Sequence, residues 1–330
     1  MEKQGLYPLK FIPILKERIW GGTRLTEFPG KKSAAKCVGE SWELSGVRGD
    51  VSIVRNGFLK GHSLQELTEI YTVNLVGDAV YDRFGTEFPI LVKLIDAREC
   101  LSIQVHPDDR LAKERHRSCG KTEMWYVMEA GGDSTLIMGF NRETDKESYL
   151  RAIETKTLKT LLRTEKVKTG DAFFIPAGVI HAIGKDLLIA EIQQTSDVTY
   201  RIYDWDRTDA FGKARELHTG LAVDAIDYRL QDTRIDYPKR DGTVNLVCCP
   251  YFIANMVHIS QPVEKNYDAT DSFVIYICVS GTCRINHGGN RYTDMEKGET
   301  VLLPAALKNV RLIPSSPVEM LEVYLSAAAS

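Results

Sequence analysis

The sequence predicts a mainly β protein: two β-barrels with a small helical insertion. Three observations predict it. Short apolar runs alternate with Gly, Pro, Asn and Asp turns along most of the chain, the spacing of a β sandwich or barrel. Helical patterning is confined to a few stretches. A segment near the middle also returns near the end: Gly170-Asp171, four residues, Pro176-Ala177, against Gly298-Glu299, four residues, Pro304-Ala305. Each is preceded by a strand–Gly–strand unit, EMWYVMEAGGDSTLIMGF and SFVIYICVSGTCRIN, as an internal repeat of one barrel would be.

Taken in order, YPLKFIPIL, RIWGG, VGESWELSG and SIVRNG read as short strands and turns over residues 7–60. Ser63-Leu64-Gln65-Glu66 is a capping box, with Leu64, Leu67, Ile70 and Tyr71 marking one helical face behind it. FPILVKLIDA returns to a buried strand. Pro107-Asp108-Asp109 opens a short charged helix, DDRLAKERH, with acid in its first turn. EMWYVMEAGG and STLIMGF read as a strand pair about a Gly turn. Thr144-Asp145-Lys146-Glu147 is a second capping box, opening a helical stretch that runs through SYLRAIETKTLKTLLR. VKTGDAFFIPAGVIHAI and LLIAEIQQTSDVTYRIYDW are strands again, and Thr219–Leu230 is a connecting helix. The charged QDTRIDYPKRDG is the linker candidate. Residues 1–230 therefore form an N-terminal barrel with helical insertions, and 231–330 a C-terminal barrel.

The chain has 330 residues and a net charge of −3, from 42 Lys plus Arg against 45 Asp plus Glu. That balance, without a Lys/Arg tract, argues against a nucleic-acid partner. The start, MEKQGLYPLKF, is not a secretory signal, and no apolar run is long enough to span a bilayer. Seven cysteines without a C-x-x-C pair point to reduced thiols and a cytoplasmic protein. No feature of the sequence sets an oligomeric state.

Chemistry concentrates in three stretches. In SIQVHPDD, Gln104 and His106 are two apart, which on a strand puts both on one face. Glu123 opens the strand after GKT. His181 follows the Pro-Ala-Gly turn of GDAFFIPAGVIHAI. Two imidazoles, a carboxylate and an amide oxygen suit zinc and also match the two-His-one-carboxylate set of iron enzymes. Taken singly, each has a bland reading: a His-Pro turn, a surface carboxylate, a strand-end histidine bonded to backbone. In the second copy of the repeat Asn309 stands where His181 does, and Phe273 or a neighbour stands near the place of Glu123. One metal site, in the first barrel only, is expected.

GDAFFIPAGVIH resembles the second motif of the cupin barrels, with Lys185 where that motif has Asn. The first cupin motif has His-x-His; here it is Gln104-x-His106. SIQVHPDD, GKTEMWYV and PAGVIHA, in that order, are together similar to the type I mannose-6-phosphate isomerases, in their shorter bacterial form. The similarity extends from RIWGG through GESWELS to RIYDWDR and is weak in the C-terminal barrel.

That resemblance implies two cupin-type barrels, the second without metal, and aldose–ketose isomerisation of mannose 6-phosphate and fructose 6-phosphate through an enediol. It implies one zinc ion per chain on Gln104, His106, Glu123 and His181, with Gln104 the weakest ligand. Arg201, in TSDVTYR, matches the family's active-site arginine, a fixed charge that forks onto oxyanions. Lys121 and Glu191 both match family residues and are rival proton carriers; the sequence does not choose between them. Lys121 shares strand parity with Glu123, and a metal near it would lower its pKa. Ser102, Lys93 and Trp20 are candidates for substrate contact: Ser102 has the parity of Gln104, Lys93 lies in an apolar strand, and Trp20 sits in a family-like segment. A surface ion pair for Arg201, a backbone-bonded Ser102, a snorkelling Lys93 and a core Trp20 are the alternatives. The expected partner is a small sugar phosphate, with no membrane. Two other functions fit the ligand types: a cupin sugar-binding protein without turnover, and an iron-dependent cupin oxygenase.

Overall fold

Both faces of the central strands are buried, and this explains why they read as unbroken apolar runs. The computed structural model describes residues 5–208 and 212–326. In the first half the strands are β1 (Ile14–Gly22), β2 (Val38–Leu44), β3 (Ile90–Ala97), β4 (Ile103–Val105), β5 (Glu123–Ala130), β6 (Thr135–Phe140), β7 (Leu162–Lys166), β8 (Ala172–Ile175), β9 (His181–Ile183), β10 (Leu187–Gln194), β11 (Tyr200–Tyr203) and β12 (Arg234–Ile235). The second half adds β13 (Gly242–Cys248), β14 (Ile253–Ile259), β15 (Val263–Asn266), β16 (Val274–Ser280), β17 (Thr282–Asn286), β18 (Tyr292–Glu296), β19 (Thr300–Leu303), β20 (Asn309–Pro314) and β21 (Val318–Tyr324). Six short helices are described: α1 (Leu64–Tyr71), α2 (Val73–Val76), α3 (Asp78–Phe84), α4 (Asp109–His116), α5 (Lys146–Glu154) and α6 (Thr219–Ala225).

Each barrel is a pair of facing sheets rather than a closed ring. The first pairs the sheet β1-β2-β3-β10-β5-β8-β12 with β11-β4-β9-β6-β7; the second pairs β13-β14-β21-β16-β19 with β15-β20-β17-β18. Alternation along β3, β5 and β10 sends Val92, Leu94, Met124, Tyr126, Leu188 and Ala190 outward, where they meet Ile275, Ile277, Leu321 and Val323 of the second barrel in one core. The same strands send Ile95, Trp125, Val127, Leu187 and Ile189 inward. The barrels thus stand back to back on their large sheets. Helices α4, α5 and α6 cover the outside of the small sheet of the first barrel through Leu111, Tyr149 and Ala222.

The repeat extends to strand pairing. The pairs β10–β5, β5–β8, β6–β7 and β6–β9 are matched by β21–β16, β16–β19, β17–β18 and β17–β20. Register aligns Glu123, opposite Ile175, with Val274, opposite Leu303; the position expected near Phe273 is one residue on. Gln104, opposite His181, aligns with Asn266, opposite Asn309.

Several local expectations change. The runs EMWYVMEA and TLIMGF do not pair with each other: β5 and β6 lie in facing sheets, and the glycine turn crosses between layers. The second capping box is shifted, because Asp145 is the cap and accepts from Ser148 N at 2.7 Å while Thr144 turns back to Arg142 O. The helix it opens stops at Glu154, and the following residues form a 3-10 turn, Leu158–Leu161. The connecting helix likewise ends at Ala225. The charged stretch expected as a linker contributes β12, which pairs with β8 of the first barrel. At the N-terminal side, Leu9 bridges to Leu302, and Glu299 takes Lys10 at 2.7 Å, so the first residues tie the barrels together.

The capping box at Ser63 is present in full: Ser63 Oγ accepts from Glu66 N at 3.1 Å, and Ser63 N donates to Glu66 at 2.7 Å. Ser63→Ala is expected to cost about 1 kcal/mol, read as a shift in the urea midpoint without a change in slope. An unchanged midpoint would show that packing of Leu64 and Leu67 alone sets this helix.

Candidate functional site

The inward residues at one end of the first barrel are polar. His106, Glu123 and His181 each offer one ligand atom, and these atoms lie within 4.8 Å of one another, all buried. Among the described residues this is the one such group of three or more. His106 Nδ1 lies 2.9 Å from Val198 O, and His181 Nδ1 lies 2.9 Å from Val179 O. A carbonyl only accepts, so each Nδ1 carries the proton and each Nε2 turns a lone pair to the centre. Burial, with the Lys121 charge beside them, pushes both imidazoles down, His181 to about 4 and His106 well below its ordinary value. Both are neutral at pH 7, the form that ligates.

Glu123 completes the set. Its Oε1 is buried without a hydrogen-bond partner, 3.4 Å from His181 Nε2. Its Oε2 accepts from the Lys121 ammonium, which also lies 3.0 Å from His106 Nε2. Burial pushes the Glu123 carboxyl up, against the pull of Lys121. A monovalent cation thus already rests on donors whose number and type, two imidazole nitrogens and a carboxylate, fit a divalent ion. Gln104 stands beside them with its amide nitrogen 3.3 Å from His181 Nε2; a half-turn of the amide exchanges that nitrogen for its oxygen.

The local wiring shows why the motifs have their spacing. Gly120 N donates to Asp109 Oδ1 at 2.7 Å, and Lys121 N to Pro107 O at 3.2 Å. A Cβ on Gly120 would lie 2.6 Å from Asp109 N, so only glycine allows this docking. Gly178 N donates to His106 O at 2.9 Å, and Ala177 N to Thr122 Oγ1 at 3.2 Å. The three segments that bring ligands are therefore bonded to one another through backbone.

Deeper in the barrel, Lys93 Nζ donates to Glu191 Oε1 at 3.1 Å and to Gln193 Oε1 at 2.8 Å, and sits over the Trp42 ring. Trp125 Nε1 donates to Glu191 Oε2 at 2.8 Å, and Lys121 Nζ is 3.9 Å from Glu191 Oε1. Burial works against the Glu191 carboxylate, but the charges of Lys121 and Lys93 and these hydrogen bonds outweigh it and hold its pKa well below the ordinary range. Burial likewise opposes the Lys93 ammonium, and Glu191 and Glu40 more than restore it, raising its pKa.

Two family descriptions match the chain: "Phosphomannose isomerase type I, catalytic domain" over residues 9–129 and "Mannose-6-phosphate isomerase, cupin domain" over residues 243–316. The mannose-6-phosphate isomerase ManA of Bacillus subtilis is 38% identical over 310 residues, covering 92% of this chain and 95% of that one. The chain belongs to the type I phosphomannose isomerase family. The mannose-6-phosphate isomerase of Streptococcus mutans is 35% identical over 305 residues, covering 92% of this chain and 94% of its own. A crystal structure of the mannose 6-phosphate isomerase of Bacillus subtilis superposes with a TM-score of 0.86 at 33% identity, covering 97% of this chain and 100% of that chain.

Within this type I isomerase, Gln104, His106, Glu123, His181, Lys121, Glu191 and Lys93 come together. Arg201 lies directly opposite Gln104 across the β11–β4 pair, on the same face. Ser102 is buried two residues before Gln104. Trp20 is 3% exposed and belongs to the inner apolar cluster. Four contributors were not singled out from the sequence: Asp109, Trp125, Gln193 and Glu40. The last binds Arg18 and Trp42 Nε1. Parity was the available signal, since Trp125 is two past Glu123 and Gln193 two past Glu191, each on the inward face.

The second barrel has no such group among the described residues. Asn266 Nδ2 donates to Asn309 Oδ1 at 2.9 Å and to Asp268 Oδ2 at 2.8 Å, so the amides at the places of Gln104 and His181 satisfy each other.

Proposed function

We propose that this isomerase interconverts mannose 6-phosphate and fructose 6-phosphate through an enediol, using one zinc ion held by His106, Glu123 and His181 with the Gln104 amide oxygen. The observation that carries the reading is the buried donor set, with both Nε2 atoms and an unpartnered Glu123 oxygen turned to one point. Bound there, zinc supplies a Lewis acid for the sugar oxygens as charge develops on them. The net reaction moves one proton from carbon 2 to carbon 1 and one from oxygen 2 to oxygen 1, so no oxidant is needed.

We assign the carbon-bound proton to Lys121, a reading supported by its nitrogen standing at the ligand atoms. Glu191 accepts one hydrogen bond on each oxygen, from Lys93 and from Trp125, and neighbours Lys121, so we assign it to holding the barrel interior. The second barrel supports this division. Glu322 occupies the register position of Glu191, and its carboxylate is held by Tyr276, Tyr267, Lys265 and Asn255, with no His/Glu ligand group beside it among the described residues. A buried glutamate here organises the barrel interior. By register Arg201 shares the face of Gln104, and we assign it to the developing oxyanion, with Ser102, Lys93 and Trp20 as further substrate contacts.

Residues 1–230 carry the reaction and 231–330 brace its large sheet. The seven free cysteines suit the reducing cytoplasm, and no helix of the described residues is long and apolar enough to cross a membrane. A coupled assay on zinc-loaded protein should convert mannose 6-phosphate to fructose 6-phosphate, with turnover lost on chelation and regained with zinc. Fully metallated protein without turnover would sink the reading.

A further inference from the structure

The turn between β13 and β14, residues 249–252, brings the second barrel to the ligand-bearing loops of the first. Tyr251 leans out of this turn, and its hydroxyl donates to Asp109 Oδ2 at 2.7 Å. The turn itself is well seated. Phe252 is buried in the core between the barrels. Cys249 N donates to Phe252 O at 3.1 Å, and Arg83 Nη1 to Pro250 O at 2.8 Å. Burial first, and then the Asp109 carboxylate, push the Tyr251 phenol up, so it remains a donor at any working pH.

Asp109 opens α4, three residues after His106. Its other oxygen, Oδ1, accepts from Gly120 N at 2.7 Å and from Gln194 Nε2 at 2.9 Å. Gln194 is buried at the end of β10, and its Oε1 accepts from Thr122 N at 2.9 Å. Between these two, Lys121 N donates to Pro107 O at 3.2 Å. Three consecutive N–H groups, of Gly120, Lys121 and Thr122, are thus held by the His106–α4 segment and by a β10 side chain. Strand β5 begins only at Glu123, so none of these three bonds belongs to a ladder. Thr122 Oγ1 also accepts from Ala177 N at 3.2 Å, in the turn before His181.

Asp109 is exposed. A carboxylate on the surface that is held by one oxygen is free to turn to water. The Tyr251 hydroxyl takes the second oxygen, and a hydrogen bond to an ionised acceptor is the stronger kind. What Asp109 holds is the segment from which Lys121 reaches His106 Nε2 and Glu123. Misplacement of a reacting group by about 1 Å can cost about 100-fold in rate.

We infer that Tyr251 is a positioning residue for the isomerisation: through Asp109 and Gln194 it fixes residues 120–123, and with them Lys121, against the donor set. The second barrel, without a ligand group of its own among the described residues, thereby contributes to turnover and does not touch substrate. The inference rests on the isomerase reading above and deepens it.

The test uses the intact zinc-loaded protein with Tyr251→Phe, which keeps the ring and removes only the hydroxyl. Zinc content and circular dichroism should match wild type. The kcat for mannose 6-phosphate should fall about three- to tenfold with KM unchanged. Amide hydrogen exchange over residues 118–124 should speed up, while exchange over β3 and β21 stays as in wild type. Asp109→Ala should lose about 10- to 100-fold in kcat. Adding Tyr251→Phe to it should cost nothing more, because the hydroxyl then has no partner through which to act. Native kcat in Tyr251→Phe, or losses that multiply in the double variant, would overturn the inference. A fall in melting temperature alone, with kcat and exchange over 118–124 native, would also overturn it and leave Tyr251 a brace. Exchange separates this from the parent reading. If wild type turns over no mannose 6-phosphate, yet Tyr251→Phe speeds exchange over 118–124, the positioning contact stands and the isomerase assignment falls.

Discussion

His181→Ala is expected to lose zinc and turnover together, by more than the roughly 100-fold that changes beside a metal site cost. The reason is geometric. His181 Nε2 is one of two imidazole lone pairs turned to the centre, fixed by Nδ1 on Val179 O. Without it, Glu123, His106 and the weakly binding Gln104 amide remain, a set with one imidazole in place of two and an amide in place of the lost nitrogen. The fold should survive, because the replaced ring faces the pocket and its strand keeps backbone pairing to β4 and β6. Metal analysis, circular dichroism and the coupled assay read the three separately. Native zinc content with native turnover in His181→Ala would remove this histidine from the centre, and the parallel His106→Ala protein would show whether the whole donor set is misassigned.

Lys121 and Glu191 separate by which quantity they move. Lys121→Ala should lower kcat by about 10²–10⁴-fold with zinc retained, and abolish exchange of the carbon-2 hydrogen with solvent. Glu191→Ala should instead destabilise the fold by about 3–5 kcal/mol, since it leaves Lys93 buried without its carboxylate. Glu191→Gln, closer in shape, is the variant in which to measure exchange. The pH dependence follows from the sign of the shift. Glu191 has its pKa depressed on folding, so its stabilisation is complete above the ordinary carboxyl value of 4.5 and is lost as pH falls from there through the folded value. That part of the acid limb should be missing from Glu191→Gln. A folded, zinc-loaded Glu191→Gln protein with native stability and no solvent exchange would make Glu191 the proton carrier and Lys121 a binding group.

The residues that cluster at the candidate metal site were legible because strand chemistry leaves local marks. Gln104 and His106 share parity, His181 follows a Pro-Ala-Gly turn, and Lys121 is two before Glu123. The departure of the repeat at Asn309 was also legible; it lies opposite Asn266, as His181 lies opposite Gln104. Lys93 was readable as an oddity in an apolar strand, but its role was not, since the partner Glu191 comes from β10, far along the chain. Asp109 looked like the acid of a helix N-terminus; its carboxylate in fact receives Gly120 N, Gln194 Nε2 and Tyr251 OH, the last from the second barrel. The β5–β6 segment was misread as a hairpin because a glycine turn between strands looks the same whether it stays in one sheet or crosses to the next.

By itself the sequence determined the strand-rich texture, the repeat, the family and the residue types of the candidate metal site, all of which depend on near neighbours and periodicity. Tertiary structure alone decided what faces what. It set both large sheets back to back, which buries both faces of β3, β5 and β10. It gave each oxygen of Glu191 a hydrogen bond while leaving Glu123 Oε1 without one. Through a single bulge between Arg201 and Tyr203 it changed the parity of β11 against β4. Each of these depends on register between distant strands, and a shift of one residue reverses the face of every side chain that follows.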